Sequence, residues 1–231
     1  MDIGKSFSFV FEDEAWIAKI LIGAAILALG VLFSWALLIP LILAFALLAG
    51  YSVEIIRRVM RGELDGLPEW DDWGRLFKDG LMVMIIGIVY ALPIIILSIC
   101  MSVPIGVAAD GAKGVSAGFS ALLSCISLLY AIAMSVVLPA ATAFYAAEDE
   151  LGAAFRFGDV FSLVREHLST YVTTFLMSWV AGLIGGAGGI VCGIGWLVTL
   201  PYAYLVTGHL YGQAYVEATG QALPPTAEDP A

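Results

Sequence analysis

GLMVMIIGIVYALPIIILSICMSVP, residues 80–104, is a run of 25 residues without a charged side chain. A helix of about 20 apolar residues is long enough to cross the hydrocarbon core of a bilayer. Several other runs are of similar length, and over all 231 residues 61% are hydrophobic and 13% charged. Soluble domains average about half apolar and about a quarter charged residues. The sequence therefore predicts an all-α integral membrane protein.

Six spans fit the apolar pattern best, as three helical hairpins in one transmembrane domain over residues 1–217. The spans are predicted at residues 15–37, 39–58, 80–104, 119–146, 169–186 and 195–217. The first two join near Pro40, where the sequence is compatible with a tight turn or with one long kinked helix. No basic segment precedes the first run, so we expect that run to remain as a span and not to be a cleaved signal.

The ten basic residues predict the orientation of the spans. Nine of them flank the first span or lie between spans 2 and 3 or spans 4 and 5, and Lys113 alone lies in another loop. Lys and Arg accumulate in cytoplasmic loops, so we expect a multi-pass protein of the cell membrane with both termini in the cytoplasm. The polar, proline-containing segment 218–231 is predicted to be a disordered tail.

The charge balance limits the partners. The net charge is −10 and no basic patch is present, which argues against nucleic acid and against a polybasic lipid-binding segment. Membrane lipids, a membrane-protein partner or a second copy of the chain are the expected partners.

Three units follow one another along the chain, at residues 1–60, 70–147 and 150–217. Each begins with a short amphipathic stretch, expected to lie along the interface, and continues as a hairpin. Trp35-x4-Pro40 recurs as Trp196-x4-Pro201. The amphipathic stretches share an i, i+3, i+4 pattern of bulky residues that lie on one helical face: Phe7, Val10, Phe11; Trp73, Leu76, Phe77; Phe157, Val160, Phe161. A threefold repeat and chance similarity between apolar segments both remain open.

The stretch LPEWDDWGRLF, residues 67–77, concentrates acids and tryptophans just before the third span. Asp71 or Asp72 suits the N-cap of the following helix. Trp70, Trp73 and Phe77 are predicted to anchor that helix at the level of the lipid headgroups. The alternative is a cation or headgroup site in this acidic loop, with three acids as ligands: Glu69, Asp71 and Asp72. Their spacing lacks the EF-hand order.

The phrase Gly66-Leu67-Pro68-x-Trp70-x-Asp72-Trp73-Gly74-x-Leu76-Phe77-x-x-Gly80 follows a predicted hairpin that ends in a basic cluster. This phrase, the span pattern and the closing Leu200-Pro201-Tyr202 resemble domain-of-unknown-function family 4013, a family of prokaryotic membrane proteins. The resemblance implies a polytopic membrane protein without an assigned activity, and it implies no catalytic residues.

Charged side chains are nearly absent from the predicted spans. Near the end of span 2, Glu54 lies three residues before Arg57 and four before Arg58, and an i, i+4 ion pair at the interface explains its position. The last span places Tyr202, His209 and Gln213 on one face. Tyr211 on another face and Thr173 on span 5 complete a candidate polar intramembrane site. Hydrogen-bonded packing between two helices explains His209 equally well.

The glycines at 185, 189 and 193 repeat every four residues. They are predicted to form the turn between the last two spans, and the alternative is a helix face for close approach.

No enzyme motif or metal-ligand spacing is present, so the sequence predicts a non-enzymatic protein without a cofactor. The most direct interpretation is an accessory, scaffold or lipid-interacting membrane component. A passive transporter or channel for a small solute is the alternative.

Overall fold

The computed structural model describes residues 3–33, 39–63, 66–111, 113–190 and 195–221, with the side chains of 30–33, 103–104 and 106–115 left aside. Every regular element in these residues is helical, which confirms the predicted all-α class. The α-helices are α1 Ile3–Ser8, α2 Trp16–Phe33, α3 Ile39–Met60, α4 Trp73–Gly111, α5 Lys113–Glu148, α6 Leu151–Ala154, α7 Phe157–Glu166, α8 Leu168–Ala187 and α9 Trp196–Thr219. Short 3-10 turns occupy Phe9–Glu12 and Gly188–Ile190.

Four helical segments in the described part of the chain are long and apolar enough to cross a membrane. They are Ile39–Met60, Trp73–Ser102, Ser116–Glu148 and Leu168–Ile190. The apolar part of α2, Trp16–Leu29, is shorter. Since helices of this length and composition suit a bilayer, the chain is a membrane protein. The count of six, the hairpin arrangement and the threefold repeat stay predictions.

Helix α3 lies at the centre of the bundle, in contact with α2, α4 and α9. Two glycines bring α4 against it. A Cβ on Gly50 would lie 1.7 Å from the carbonyl oxygen of Leu76, and a Cβ on Gly80 would lie 1.6 Å from that of Ala46. The two helices therefore pack antiparallel with their backbones in contact, which no larger residue permits at these positions.

Helix α2 also packs antiparallel to α3. Ile20 shares a buried cluster with Tyr51 and Ile55, while Leu27 clusters with Ala44 and Leu48. This arrangement excludes one continuous helix through Pro40. The joint itself, at residues 34–38, lies outside the described residues.

Helix α9 packs parallel to α3 and antiparallel to α8. Gly208 faces Ser52 and Gly212 faces Val59 on α3. Gly185 approaches Ala203, where an added Cβ would lie 2.9 Å from the Ala203 Cβ. The prediction of a turn beginning at Gly185 was therefore wrong, because α8 continues to Ala187 and uses this glycine for close approach to α9.

The structure describes only part of the glycine-rich segment after α8 and only the beginning of the predicted tail. An added Cβ at Gly189 would meet no atom within 4 Å, and residues 191–194, with Gly193, lie outside the described residues. At the C-terminal end α9 includes residues 218 and 219, and Gly220 follows with φ 65°. Residues 222–231 of the predicted tail also lie outside the described residues.

Helices α4 and α5 extend far beyond the bundle. They contain 39 and 36 residues, so that α4 is about 58 Å long at 1.5 Å per residue. Among the described side chains of residues 91–136 none is buried. We call residues 91–136 the arm. The arm exposes large aliphatic side chains, including Ile99 and Leu129 at 64% and 66% exposure.

The chain after α5 folds back along α4 and α5. The Tyr90 hydroxyl donates to the Ala154 carbonyl oxygen at 2.8 Å, which places α6 beside the middle of α4. Helix α7 buries Val160 and Val164 and exposes Phe157 and Phe161. The amphipathic pattern of α7 is thus used partly for packing against the bundle.

The glycine contacts predict opposite effects for the same substitution at two positions of α4. Gly80→Ala should lower the free energy of unfolding by about 1–3 kcal/mol or more, because the new methyl group overlaps the α3 backbone. Gly87→Ala is the matched control, since an added Cβ there meets no atom within 4 Å and alanine favours helix by up to about 1 kcal/mol. Unfolding in detergent micelles by SDS titration, followed by circular dichroism, measures both. Equal stability of the two variants would contradict the packing described.

Candidate functional site

Most of the charged side chains that the structure describes meet at one end of the bundle. We call this region the charged end; it comprises the C-terminal ends of α3 and α5, the N-terminal end of α4, and the adjoining segments 61–63, 66–72 and 148–159. Ion pairs connect its elements: Arg57 with Asp149 at 2.9 Å, Lys78 with Asp149 at 3.6 Å and Arg75 with Glu54 at 3.7 Å. Lys113 begins α5 at the opposite end of a 36-residue helix.

A buried ion pair forms the centre of the charged end. The side chains of Arg57 on α3 and Asp79 on α4 are 3% and 1% exposed and form a bidentate contact, with Nη1 paired to Oδ2 and Nη2 3.4 Å from Oδ1. The Tyr145 hydroxyl of α5 donates to Asp79 Oδ1 at 2.6 Å. Because removal of charges from water is costly unless they are paired and hydrogen-bonded, this contact fixes three helices relative to one another.

Arg57 also caps the end of α5. Its Nε donates to the Ala146 carbonyl oxygen at 3.2 Å, and its Nη2 donates to Asp149 Oδ1 at 2.9 Å. A cation is favoured at a helix C-terminus, where carbonyl groups lack partners. Asp149 has φ 55°, a left-handed conformation that is uncommon outside glycine. The ion pair with Arg57 therefore stabilises a turn that costs backbone energy.

Sequence analysis did not identify Asp79, because it lies one residue before the predicted third span. A signal was nevertheless present. The positions of α4 that face the bundle are Leu76, Asp79, Val83, Ile86 and Tyr90, spaced by three or four residues. A carboxylate on an apolar helical stripe of this kind indicates a buried partner of opposite charge.

The segment 66–72 is attached to the bundle by an aromatic stack. The ring of Trp70 lies parallel to that of Tyr51, with centroids 4.1 Å apart and an interplanar angle of 5°. The Tyr51 hydroxyl donates to the Pro68 carbonyl oxygen at 2.6 Å, and Trp70 Nε1 donates to the Lys19 carbonyl oxygen at 3.2 Å. Trp70 thus packs within the protein. Trp73 is 44% exposed and Phe77 is half-buried, so these two remain the residues available for anchoring.

Lys19 and Asp13 join the N-terminal segment to the same loop. Lys19 Nζ lies 2.9 Å from Asp13 Oδ2 and 2.6 Å from Glu69 Oε1, and it also donates to the Leu67 carbonyl oxygen at 2.9 Å. Burial alone would raise the pKa of Asp13. Hydrogen bonds from the Leu67 N–H, the Lys19 ammonium and the Ala15 N–H outweigh burial and lower this pKa below its ordinary value of 3.8.

The acids of the candidate loop have separate structural roles. Glu69 pairs with Lys19, although its side chain is 72% exposed. Asp72 Oδ1 accepts from the Arg75 N–H at 3.0 Å, which confirms the predicted N-cap of α4 and assigns it to Asp72. Asp71 Oδ1 accepts from the Asp72 N–H at 2.8 Å. In the described part of the chain no three His, Cys, Asp or Glu side chains converge to hold a metal ion.

A polar cleft of about 540 Å³ lies between this loop and α3. Both signs of charge line it: Glu54, Arg58, Arg61, Glu63, Glu69, Asp71, Asp72 and Arg75. The predicted pairing of Glu54 with Arg58 was wrong. Arg58 binds Glu63 at 2.9 Å, whereas Glu54 binds Arg61 at 3.0 Å and Arg57, three residues later, at 3.7 Å. Burial by itself would raise the pKa of Glu63, but its contacts with Arg61 and Arg58 lower that pKa.

The candidate polar site on α9 is only partly assembled. His209 is 1% exposed and stacks on Phe9, with ring centroids 4.3 Å apart. Its Nδ1 lies 3.0 Å from Ser6 Oγ and 3.2 Å from Gln213 Nε2. The Tyr202 hydroxyl donates to the Phe7 carbonyl oxygen at 2.9 Å. These contacts attach α1 and the turn that follows it to α9.

The other two residues of that candidate site lie elsewhere. The Thr173 hydroxyl donates to the carbonyl oxygen of Ser169 in its own helix at 2.8 Å. Tyr211 lines a cavity between α3, α4, α5 and α9. The structure therefore brings together His209, Tyr202 and Gln213 on the α1 side of α9. Tyr211 shares with Tyr202 a contact to the apolar cluster of Ala181, Val206 and Leu210, and no described hydrogen bond joins Thr173 or Tyr211 to His209.

The buried ion pair predicts a strong asymmetry between single and double substitutions. Asp79→Asn should lower the free energy of unfolding by about 3–5 kcal/mol, because Arg57 is left buried without its main counter-charge. The double variant Arg57→Met/Asp79→Leu removes both charges and should recover much of that loss. SDS-titrated unfolding in mild detergent measures the cycle, and an Asp79→Asn variant as stable as the parent would contradict the role assigned to the pair.

The Asp13 contacts predict a stability difference that depends on pH. A carboxyl whose pKa is lowered by folding stabilises the fold above its ordinary pKa, and this contribution is lost as pH falls through the lowered value. Asp13→Asn should therefore lower Tm at pH 7, and the gap to the parent should narrow as pH falls below 3.8. Asp159→Asn, at a side chain that is 62% exposed, is the control and should change Tm little at either pH. A gap at Asp13 that stays constant with pH would contradict the assignment.

Comparison with known proteins identifies a family but no activity. A family model described as "Protein of unknown function (DUF4013)" matches residues 32–194, from the last turn of α2 through α8. No curated protein and no solved structure matches the chain. The closing Leu200-Pro201-Tyr202 on α9 lies outside the matched segment, whereas the phrase around Trp70 and Trp73 lies inside it. The match covers well over half of the chain, which therefore belongs to the DUF4013 family of proteins of unknown function.

Proposed function

We propose that this protein is a non-enzymatic, multi-pass component of the cell membrane that acts by association with lipids and with a membrane-protein partner or a second copy. The arm is the observation that carries the proposal. Half of the most apolar part of α3 is buried inside the chain, against 11% for α4 and 6% for α5. Two long helices with so little contact to their own bundle leave an extended apolar surface for other molecules.

The charged end supports a structural role for the buried charges. Arg57 and Asp79 bind each other and α5, and Lys19 binds Asp13 and Glu69. Such arrangements stabilise contacts between elements. A catalytic acid or base would instead need a position from which it reaches a substrate.

The short amphipathic segments support contact with the lipid interface. In each of the three triplets the middle residue is buried, with Val10 and Val160 at 0% exposure and Leu76 at 4%. A flanking aromatic ring of each triplet is exposed: Phe11, Trp73 and Phe161. Aromatic rings held in this way suit the headgroup level of a bilayer, and we assign them to the cytoplasmic interface.

We further propose that the chain spans the membrane six times, with both termini in the cytoplasm. The ion pairs between α3, α4 and α5 gather basic residues at one end of the bundle, far from Lys113. That asymmetry agrees with cytoplasmic placement of the charged end.

A passive transporter or channel is the second candidate. Pro139 and Pro201 lie inside α5 and α9, and spans that contain proline are a feature of many transporters. The hydrogen bonds of His209 and Tyr202 to α1 favour association over transport, because they use these polar groups for packing between helices.

Native mass spectrometry of the protein, extracted gently from its own host membrane, tests the proposal. We expect a defined additional mass from a subunit, a second copy or retained lipid. Leu129→Trp, on the arm, should reduce the bound protein mass, because added bulk prevents close packing of helices. Leu183→Trp on α8 is the matched control, since Leu183 is 64% exposed and Leu129 66%.

A bare, lipid-free monomer, or equal effects of the two variants, would contradict association through the arm. A reporter fused to the C-terminus in the same cells tests the orientation. A cytoplasmic signal supports it, and an external signal overturns it.

A further inference from the structure

A groove opens between α3, α4, α5 and α9, away from the polar cleft. It consists of two adjoining cavities of about 420 Å³ and 190 Å³ that share Ala49, Val83 and Tyr204. Three of the four helices are candidate membrane spans. The groove therefore faces the region that lipid tails occupy in a bilayer.

The lining of the groove changes from apolar to hydroxyl-bearing along α3. The larger cavity is lined by Leu41, Ile42, Phe45 and Met84. Tyr204 lines both cavities, and the smaller cavity adds four more hydroxyl-bearing residues: Ser52, Thr142, Thr207 and Tyr211. Since Ser52 lies seven residues beyond Phe45, the hydroxyl groups are about 10 Å further along α3, toward the charged end.

The buried ion pair lies one helical turn below the hydroxyl end of the groove. Arg57 follows Val53 by four residues on α3, and Asp79 precedes Val83 by four residues on α4. On α5, Tyr145 follows Thr142 by three residues. Arg57, Asp79 and Tyr145 are paired with one another. The hydroxyl-bearing residues that line the smaller cavity therefore supply the hydrogen-bonding groups of the groove.

Thr142 is the hydroxyl-bearing residue of this groove with the least exposed side chain. Its side chain is 7% exposed, and in the described part of the chain its hydroxyl has no hydrogen-bond partner. Thr173, Thr174 and Thr219 each donate to the carbonyl oxygen four residues earlier in their own helix. A hydroxyl without a partner costs free energy where no water is present to bind it.

We propose that this groove binds one tail of a membrane lipid. An acyl or isoprenyl chain lies against Leu41, Ile42 and Phe45, and a carbonyl or hydroxyl oxygen at the head of that chain accepts a hydrogen bond from Thr142. This inference rests on the proposed lipid association and assigns it to one site. The larger cavity has the size of small-molecule sites, which span about 300–1,000 Å³. A partner helix about 10 Å across would fill it with little more than one turn, so a flexible chain fits better.

Gly87 provides a way to fill the groove without disturbing the core. It lines the smaller cavity, and an added Cβ meets no atom within 4 Å. Gly87→Leu therefore directs its side chain into the groove. Gly182→Leu on α8 is the matched control, because an added Cβ there also meets no atom within 4 Å and both changes replace a helical glycine by the same helix-favouring residue.

The experiment uses the full-length protein, delipidated in detergent, and trace phosphatidylethanolamine with a diazirine on one acyl chain. We expect saturable labelling of peptides from α3 and α9, competed by unlabelled phospholipid. In Gly87→Leu this labelling should fall at least tenfold, and in Gly182→Leu it should stay at the parent level. A polyprenol as competitor distinguishes an isoprenyl from an acyl chain, and competition by either supports the site.

Thr142→Val gives a second, independent readout. Removal of the unpartnered hydroxyl should leave Tm of the delipidated protein unchanged or raised. It should weaken competition by phospholipid roughly three- to tenfold, the worth of one hydrogen bond. Thr173→Val removes a hydroxyl that is already paired within its own helix and should leave lipid binding unchanged.

Labelling that is not saturable, that spreads over the arm, or that is equal in Gly87→Leu and the parent would overturn the proposal. These outcomes would leave association through the arm intact, because that association is measured as bound mass in native membrane extracts. Conversely, saturable labelling of the groove in a protein that is monomeric in such extracts would support the lipid site and contradict the protein partner.

Discussion

The pairing of Arg57 with Asp79 holds α3, α4 and α5 together at one end, and the remaining features of that end depend on it. The pair brings the guanidinium within reach of the last carbonyl groups of α5, which allows Asp149 to turn the chain back toward α6. The close approach of α3 and α4 at Gly50 and Gly80 places both charges beyond the reach of solvent. Their attraction is therefore stronger than at a surface, and the loss of either partner is correspondingly costly.

The class of the fold could be predicted from composition and hydropathy, because apolar runs as long as 80–104 have few stable alternatives to a helix in a bilayer. The cap at Asp72 was also predictable, since an N-cap depends on local sequence. The continuation of α8 through Gly185 was not, because helix and turn are both allowed for glycine locally. The contact with Ala203 on α9, eighteen residues away, determines the outcome.

The candidate site shows the same division between local and distant information. The loop around Trp70 was recognised as unusual from its residues, but its contact with Tyr51 requires knowledge of how α3 packs. Asp79 was missed because a single carboxylate at the margin of an apolar run resembles an interfacial residue. Only its spacing from Leu76 and Val83 places it on the buried face. The groove beside Thr142 could not be predicted, because four helices that are distant in sequence form it.

Helices α4 and α5 are continuous from the arm to the charged end, and this continuity has a mechanical consequence. A helix longer than the local hydrocarbon thickness is accommodated by tilt or by local thickening of the bilayer. The described side chains of the arm are not buried, so resistance to such tilt comes mainly from the contacts near Asp79 and Tyr145. A change in tilt of the arm is transmitted along each continuous helix to its packed end. The thickness of the surrounding membrane therefore affects the distances and angles within the buried ion pair.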